Sequence, residues 1–294
     1  MKHSVATSEP NTMDYKTIVV FLEERDHCDS VLDVAIQVAD AHEAHLLGVG
    51  IQRPFDTYLG LYTELGVSAE LDRILLEREE KRLSELHARF VESTKDQNFI
   101  PEWRVLDAHP SSITTTLLQQ ANTAELLILG EGTDTDIGHP VMRERGVLVT
   151  GSACPVLVCP SAGVDKTLGE YVLVAWDGSK QASRAVFDML PVLQKAKQVL
   201  LHRVNSATES KSHTDVLARD MASALSRKGV EVELGFSDSK LNKVGEEIMR
   251  VAEAHGADSI VMGAYAHSRL RDLVLGSATS HLLSNSRLPL FLSS

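Results

Sequence analysis

The chain is predicted to fold as an α/β protein of two tandem sandwiches, each with a parallel sheet of about five strands and helices on both faces. Three observations support this. Short apolar runs rich in Val, Ile and Leu recur along the chain, helical patterns alternate with them, and the whole order occurs twice. Alternating strands and helices require crossover connections, which favour parallel strands. The length of 294 residues suits two ordinary domains.

The predicted strands correspond between the two halves. In chain order, the matching runs are 17–22 with 171–176, 46–51 with 199–204, 125–130 with 258–263, and 155–160 with 289–294. These runs are continuous rather than alternating, which is typical of strands buried on both faces of a sheet. The last run of each half is a candidate edge strand, so these two runs can pair with each other or with those of a second chain.

Helical patterns occupy the intervals between these runs. Leu217, Met221 and Leu225 recur every four residues, which predicts the buried face of a helix. The first half carries extra sequence, residues 53–70, before a long charged helix that extends to about residue 94.

A short polar segment, residues 161–169, contains two glycines and separates the repeats. Segments of this composition are typical of linkers. The sequence therefore predicts one domain over residues 1–160 and a second over residues 170–294.

Charge and composition exclude several classes of protein. The net charge of −12 argues against a general nucleic-acid binder, which needs a basic face to neutralise phosphates. Three cysteines do not make a disulfide framework and suit a reducing compartment. No run approaches the roughly 18 apolar residues of a membrane span, and the first residues lack the apolar core of a signal peptide. We expect a cytoplasmic protein that does not act on nucleic acid or membranes.

Two loops of the second half have the residues of a ligand site. Asp177, Gly178 and Ser179 follow its first predicted strand, and Gly263 ends its fourth. In an open parallel sheet, ligands bind beyond the carboxyl ends of strands, where the crossovers diverge to opposite faces. Gly263 has no Cβ, so it permits unusual backbone dihedrals or the close approach of a ligand. If the two strands are neighbours, their loops line one crevice.

The helix that follows Gly263 is predicted to begin at Gly276 and Ser277. Its unpaired N–H groups and the positive end of its dipole would favour a phosphate. The local pattern leaves an ordinary alternative open, in which Ser277 is simply the N-cap of this helix. In the same way, Asp177 followed by Gly178 is compatible with a plain turn.

Taken together, the two loops resemble the nucleotide-binding motifs of the universal stress protein family over about residues 170–294. That family carries Asp-Gly-Ser after its first strand and G-x2-G-x9-G-[ST] after its fourth. Here the run "AWDGSKQASRA" matches the first motif, and the spacing from Gly263 to Gly276 matches the second, with Ala266 where a second glycine is usual. The resemblance implies sheets of strand order 3-2-1-4-5, in which the first and fourth strands are neighbours.

The resemblance also implies a ligand, which is ATP or another adenine nucleotide, with or without Mg. Asp177 would meet the adenine or ribose, Val204 would offer its backbone to the adenine, and the glycines and serine of the second motif would meet ribose and phosphates. For Arg269, a place near the phosphates and a solvated surface position are both open. The implied nucleotide-binding residues are Asp177, Gly178, Ser179, Val204, Gly263, Ala266, Arg269, Gly276 and Ser277.

The first half resembles the same domain without its nucleotide site. Glu23 stands where the second half has Asp177, and Glu24 follows it in place of a glycine. Aligning the last strands places Met142 and Arg143 at the positions of the Gly-Ser pair, after an acidic loop that would repel phosphates. We expect no nucleotide in this half and a structural role for it, because the halves of tandem members resemble a dimer of single-domain proteins.

Other reactive side chains are assigned structural roles. Cys154 and Cys159 are five residues apart across a presumed strand, so they face opposite ways and cannot easily share a metal. His42 and His45 are expected at the surface, and His202 is expected to be a strand residue rather than a catalytic base. No catalytic or metal-ligating residue is assigned.

The leading hypothesis is a stress-response regulatory protein that binds ATP, ADP or AMP in its C-terminal domain and signals through a conformational or partner-binding change. No residue resembles a dedicated water-activating base, so the protein is at most a slow ATPase. The alternative is a nucleotide-free interaction scaffold of the same tandem type. An ATP-pyrophosphatase is a third hypothesis, but its S-G-G-x-D-S loop differs in residues and order from "WDGSKQAS". The two halves are expected to form an internal pseudo-dimer, and a homodimer stays open.

Overall fold

Ten strands form one mixed sheet that runs through both halves of the chain, with helices on both of its faces. The protein is described by a computed structural model over residues 13–23, 25–52, 69–107, 113–131, 145–164, 168–205, 211–239, 243–264, 266–267 and 274–294. Most of the predicted insertion at 53–70 lies outside these ranges, as do Glu24, Met142, Arg143 and Arg269.

The first half forms five strands and four helices within the described residues. They are β1 (Thr17–Phe21), α1 (Arg25–His42), β2 (His45–Gln52), α2 (Ala69–Thr94), β3 (Pro101–Asp107), α3 (Ile113–Ala121), β4 (Leu126–Gly130), α4 (Arg145–Gly151) and β5 (Val156–Cys159). Each apolar run that the sequence marks as a strand in this half forms one.

The second half repeats this order and adds a short hairpin. Its elements are β6 (Tyr171–Ala175), α5 (Lys180–Asp188), α6 (Leu190–Leu193), β7 (Gln198–Asn205), α7 (Lys211–Arg227), β8 (Val232–Asp238), α8 (Val244–Ala254), β9 (Ser259–Gly263), β10 (Ala266–His267), β11 (Val274–Leu275), α9 (Ser277–Asn285) and β12 (Leu290–Ser293). The strands β10 and β11 pair antiparallel and form a separate two-stranded sheet.

The predicted fold class and strand order are confirmed. The first half has the order β3-β2-β1-β4-β5 and the second has β8-β7-β6-β9-β12, which is 3-2-1-4-5 in both, with parallel pairing throughout each half. The two sheets are joined edge to edge, because β5 and β12 pair antiparallel with Leu157 opposite Phe291. Of the two pairings open for the last strands, the chain uses the one within itself.

Two apolar cores lie on the two faces of this sheet. Alternate residues of a strand point to opposite faces, so Val172 and Val174 join one core and Leu173 joins the other. The first core also takes the buried sides of α1 and α5, and the second takes those of α3, α8 and α9. Both cores contain residues of both halves. The division into domains at 160 and 170 stays a prediction.

The segment before β1 also ties the halves together. The Tyr15 hydroxyl donates a hydrogen bond to the backbone carbonyl of Asp188 at 2.9 Å. Lys195 lies 2.8 Å from the Asp14 carboxylate, and its ammonium donates to the carbonyl of Ala41. The N-terminal segment, α1 and the α5–α6 region of the second half therefore meet at one junction.

Two expectations about individual residues are wrong. Leu217 is 38% exposed, because the face of α7 that meets the sheet is formed by Ala218, Met221 and Leu225 at spacings of three and four. His42 is only 3% exposed, because it lies against the Tyr15 ring, with ring centroids 5.1 Å apart.

Among the helices of the described residues, none combines the length and the apolar character needed to cross a bilayer.

Candidate functional site

The predicted ligand loops meet at the point of the second-half sheet where the crossovers diverge. Strands β6 and β9 are neighbours, with Ala175 opposite Met262. Helix α5, which follows β6, packs its buried side chains in one core, whereas α9, which leads away from β9, packs in the other. The carboxyl ends of β6 and β9 therefore flank a crevice of the kind in which open α/β sheets bind ligands.

The Asp-Gly-Ser segment forms a tight turn and begins α5. Asp177 is exposed, and its Oδ1 accepts a hydrogen bond from the Ser179 backbone N–H at 2.9 Å. Gly178 has φ of +83°, a left-handed conformation that a side chain disfavours. Ser179 is the N-cap of α5, and its Oγ accepts from the Ala182 N–H at 3.1 Å. The local alternative of a turn is thus confirmed, and it leaves the exposed Asp177 at the rim of the crevice.

The close packing of α5 against β9 requires a residue without a side chain at position 263. The φ of Gly263 is not positive, so it does not supply the unusual dihedral that the sequence suggested. A Cβ at this position would lie 2.6 Å from the carbonyl carbon of Gln181 and closer still to the backbone nitrogen of Ala182. Because these are backbone atoms of the first turn of α5, a side chain at 263 has no room. The glycine lets β9 pass directly beneath the N-terminus of that helix.

Helix α9 begins at the Gly-Ser pair, as expected, and its N-cap residue is Gly276. This glycine has φ −56° and ψ 149°, and it makes no side-chain capping bond. Ser277 is the first helical residue and is exposed, so the alternative in which Ser277 caps the helix is wrong. Because a glycine cap has no side chain to bond to them, the first N–H groups of this nine-residue helix are suited to an anionic ligand.

The remaining predicted residues are Val204, Ala266 and Arg269. Val204 is the next-to-last residue of β7, pairs with Ser237 of β8 and packs against the second core. Ala266 lies in β10, where its backbone is extended and compatible with alanine. Arg269 lies outside the described residues.

A buried polar group directly after β6 was not predicted. Trp176, directly before Asp177, is 5% exposed, and its Nε1 has no hydrogen-bond partner within the parts of the chain that the structure describes. An unpaired buried donor of this kind is costly, so it is expected to meet water or a ligand. Nothing in the sequence distinguishes this tryptophan from an ordinary core residue, because its environment is set by tertiary packing.

His202 is a buried strand residue, as expected. Its Nε2 lies 2.9 Å from the Ser237 hydroxyl, and burial lowers the pKa of its imidazole. Behind it, the pKa of Glu247 falls to about 2, chiefly because Arg250 donates hydrogen bonds to its carboxylate. His202, Ser237 and Glu247 thus form a hydrogen-bonded network beside β7 and α8.

In the first half, an arginine side chain lies at the strand ends that correspond to the crevice of the second half. The register of β1 with β2 and of β6 with β7 makes Glu23 the counterpart of Asp177, and Ile51 the counterpart of Val204. In the first half, the Arg82 guanidinium donates to the backbone carbonyls of both Glu23 and Ile51, at 2.5 and 2.7 Å. A side chain from α2 therefore occupies the position where the second half would hold a base.

The cysteines have the environments expected of inert thiols. Cys28, Cys154 and Cys159 are buried thiols that take part in no disulfide within the described residues, and burial raises the pKa of Cys154 and Cys159. Cys154 joins the second core and Cys159 the first, which confirms that they face opposite sides of the sheet. Within the described ranges, no group of His, Cys, Asp and Glu side chains could hold a metal ion.

Comparison with known proteins identifies the class of the second half. Residues 170–293 match the family model described as Universal stress protein family, so this segment carries a domain of that family. The matched segment begins just before β6 and includes both loops of the crevice.

Individual relatives agree with this class. A universal stress protein of Methanocaldococcus jannaschii is 35% identical over 60 residues, which is 19% of this chain and 37% of that protein. A universal stress protein of Synechocystis is 29% identical over 121 residues, 40% of each chain. The chain thus spans well under half the length of these curated relatives. The crystal structure of a universal stress protein from Archaeoglobus fulgidus covers 94% of this chain and 98% of its own, with a TM-score of 0.69 and 18% identity, which shows a shared fold.

Proposed function

We propose that the chain is a tandem protein of the universal stress type whose second half alone binds an adenine nucleotide. The observation that supports this most is the meeting of Asp177 and Gly263 at the ends of adjacent strands, inside the segment that matches the family. Its output is a stress-linked change in conformation or in partner binding, in the cytoplasm.

The N-terminus of α9 supplies the phosphate side of the proposed site. Its first N–H groups carry no cap side chain, and the exposed Ser277 adds a hydroxyl. The helix dipole contributes about 0.3–1 kcal/mol for an anion at this position. Micromolar affinity requires about 8 kcal/mol, so most of the binding energy must come from the several N–H donors and from burying a base and fixing a ribose.

Asp177 and Val204 supply the nucleoside side. One oxygen of Asp177 accepts from the Ser179 N–H, and a carboxylate has two oxygens with acceptor capacity, so the other can accept from a ribose hydroxyl or a base N–H. The counterpart of Val204 in the first half, Ile51, accepts a hydrogen bond from a guanidinium at its carbonyl. A carbonyl at this strand position is therefore able to face a donor in the crevice, as an adenine amino group requires.

A nucleotide-free scaffold is the second candidate, and one observation favours it. Gly178, Ser179 and Gly263 each have a role in starting or packing α5 that needs no ligand. In either case we propose binding rather than efficient turnover, with ATP hydrolysis slow at most and with Mg entering only with the nucleotide.

Calorimetric titration with ATP and MgCl₂ tests the proposal. We expect one nucleotide per chain in the wild-type protein, and loss of affinity of tenfold or more in Asp177→Ala and Gly276→Val, because each removes a contact or crowds the helix N-terminus. Glu23→Ala is the matched control, since it changes the equivalent position of the first half and should leave affinity unchanged.

Two outcomes would reject nucleotide binding by the second half. One is the absence of any heat or thermal shift for wild-type protein with millimolar ATP, ADP and AMP, which would favour the scaffold, since a ligand that binds only the folded state raises the melting temperature. The other is an equal loss of affinity in Glu23→Ala and Asp177→Ala.

A further inference from the structure

The crevice of the first half contains an arginine whose guanidinium makes four hydrogen bonds. Arg82 and Glu79 of α2 are 12% and 15% exposed at their side chains. The guanidinium donates to the Glu79 carboxylate at 2.9 Å through Nε and at 2.6 Å through Nη2. Its Nη1 reaches the carbonyl of Glu23 and its Nη2 the carbonyl of Ile51. The planar fork thus joins the ends of two adjacent strands to the helix above them.

The Arg82 guanidinium is surrounded by oxygen acceptors of two kinds. Two are backbone carbonyls at the ends of β1 and β2, and the third is a carboxylate. A planar cation with several N–H donors in a fixed geometry fits such a set, whereas a phosphate group would be repelled by it. The strand ends of the first-half crevice therefore have the chemistry of a cation site, at the positions equivalent to Asp177 and Val204 on the nucleoside side of the site proposed for the second half.

We propose that the first-half crevice is a guanidinium-binding site that the chain fills with its own Arg82. The half has not simply lost a nucleotide site; its strand-end carbonyls bind a different class of group. By filling the site, Arg82 fixes α2 over the ends of β1 and β2 and closes the crevice to other ligands. This inference goes beyond the proposed nucleotide binding and does not depend on it.

Chemical rescue tests the proposal. Arg82→Ala removes the side chain beyond Cβ, and methylguanidinium reproduces its terminal part. We expect Arg82→Ala to melt about 5 °C or more below the wild-type protein, because two strand-end carbonyls and a half-buried carboxylate lose their donor. We expect methylguanidinium chloride at about 10 mM to restore much of this loss, at a concentration far below that at which guanidinium denatures.

Three controls make the result specific. Arg73→Ala removes an arginine from the same helix that is 61% exposed and paired with Glu77; it should melt within about 1–2 °C of the wild-type protein and gain nothing from methylguanidinium. Methylammonium chloride at equal concentration should not rescue Arg82→Ala, because it lacks the fork. The wild-type protein, whose site is filled, should not respond to methylguanidinium.

A second variant keeps the proposal testable if Arg82→Ala does not fold. Arg82→Lys retains the charge and the long stem but cannot bond to both carbonyls and the carboxylate in one plane, so it should melt below the wild-type protein. The proposal is overturned if Arg82→Lys or Arg82→Ala melts with the wild-type protein, or if methylguanidinium and methylammonium act alike on Arg82→Ala.

Discussion

At the scale of single residues, the motif that resembles a nucleotide site also builds the helix beside it. Gly178 makes the left-handed turn, Ser179 caps α5, and Gly263 leaves room for the first turn of that helix. Asp177 and Ser277, in contrast, are exposed. The sequence predicted all of these positions as ligand contacts, but their spacing alone could not separate residues that shape the crevice from residues whose side chains are free to bind.

Gly263→Ala tests the structural part of this motif without any ligand. The added Cβ meets backbone atoms of α5, which cannot move cheaply, so we expect a loss of about 2 kcal/mol or more in the free energy of unfolding, as for an overpacked core. Gly178→Ala is the matched comparison. Its Cβ has space, so we expect only the cost of positive φ, about 1 kcal/mol in the free energy of unfolding. Urea denaturation of the nucleotide-free proteins measures both. Unchanged stability in Gly263→Ala would mean that the glycine serves only a ligand.

At the scale of elements, the eight central strands could be predicted and the two edge strands could not. Continuous apolar runs mark strands covered on both faces, and each such run forms a strand. The third strand of each half, β3 or β8, has exposed and partly exposed residues and none that is buried, because it lies at an edge of the sheet. The two-residue strands β10 and β11 are too short for a periodic pattern.

The junction of the N-terminal segment with α1 and the second half is predicted to be sensitive to acid. His42 is buried, and its Nδ1–H donates to the Asp14 carboxylate 3.0 Å away, with Lys195 and Lys16 close by. Burial is the largest cause that lowers the pKa of His42 below its usual 6.5, and the nearby lysines lower it further, against the opposing effect of Asp14. In the folded state this imidazole therefore stays neutral at a pH where the unfolded chain takes up a proton.

Because the unfolded state binds more protons, the free energy of unfolding should fall as the pH drops from about 7 through 6.5 toward 5. His42→Gln, which keeps a donor for Asp14 but does not titrate, should decline less steeply over this range. His202→Gln should act in the same direction, since burial also lowers the pKa of His202. Urea denaturation at pH 7, 6 and 5 measures the slopes. A wild-type slope in both single variants and in the double variant would contradict this explanation.

At the scale of the whole molecule, the two halves share a fold but differ at the ends of equivalent strands: Arg82 donates to the carbonyls of Glu23 and Ile51 in the first half, whereas the counterpart of Glu23 in the second half is the exposed Asp177. The repetition of one strand order in both halves could be predicted, because the apolar runs occur in the same order in each half. The expectation that the first half binds no nucleotide was drawn from Glu23 and stays a prediction, and the sequence did not reveal which side chain lies at that position. Arg82 lies on a charged helix among many similar residues, and only the folded chain brings its guanidinium to the ends of β1 and β2.

The continuous sheet and the shared cores predict that the halves unfold together. The chain has two tryptophans, Trp103 on β3 of the first half and Trp176 at the end of β6 in the second. In Trp176→Phe the fluorescence reports the first half, and in Trp103→Phe it reports the second. We expect coincident urea transitions in the two variants, because β5 pairs with β12 and both cores cross between the halves.

The same two variants connect the proposed nucleotide site to the whole fold. If ATP binds only the second half and the halves unfold as one unit, ATP at 100 times its dissociation constant should stabilise both transitions by about 2.7 kcal/mol. Each variant is first titrated to show wild-type affinity, since Trp176 lies next to Asp177, and Asp177→Ala in both backgrounds should abolish the shift. A shift seen by Trp176 but not by Trp103 would show that the halves unfold independently, in which case the β5–β12 pairing joins two separate cooperative units.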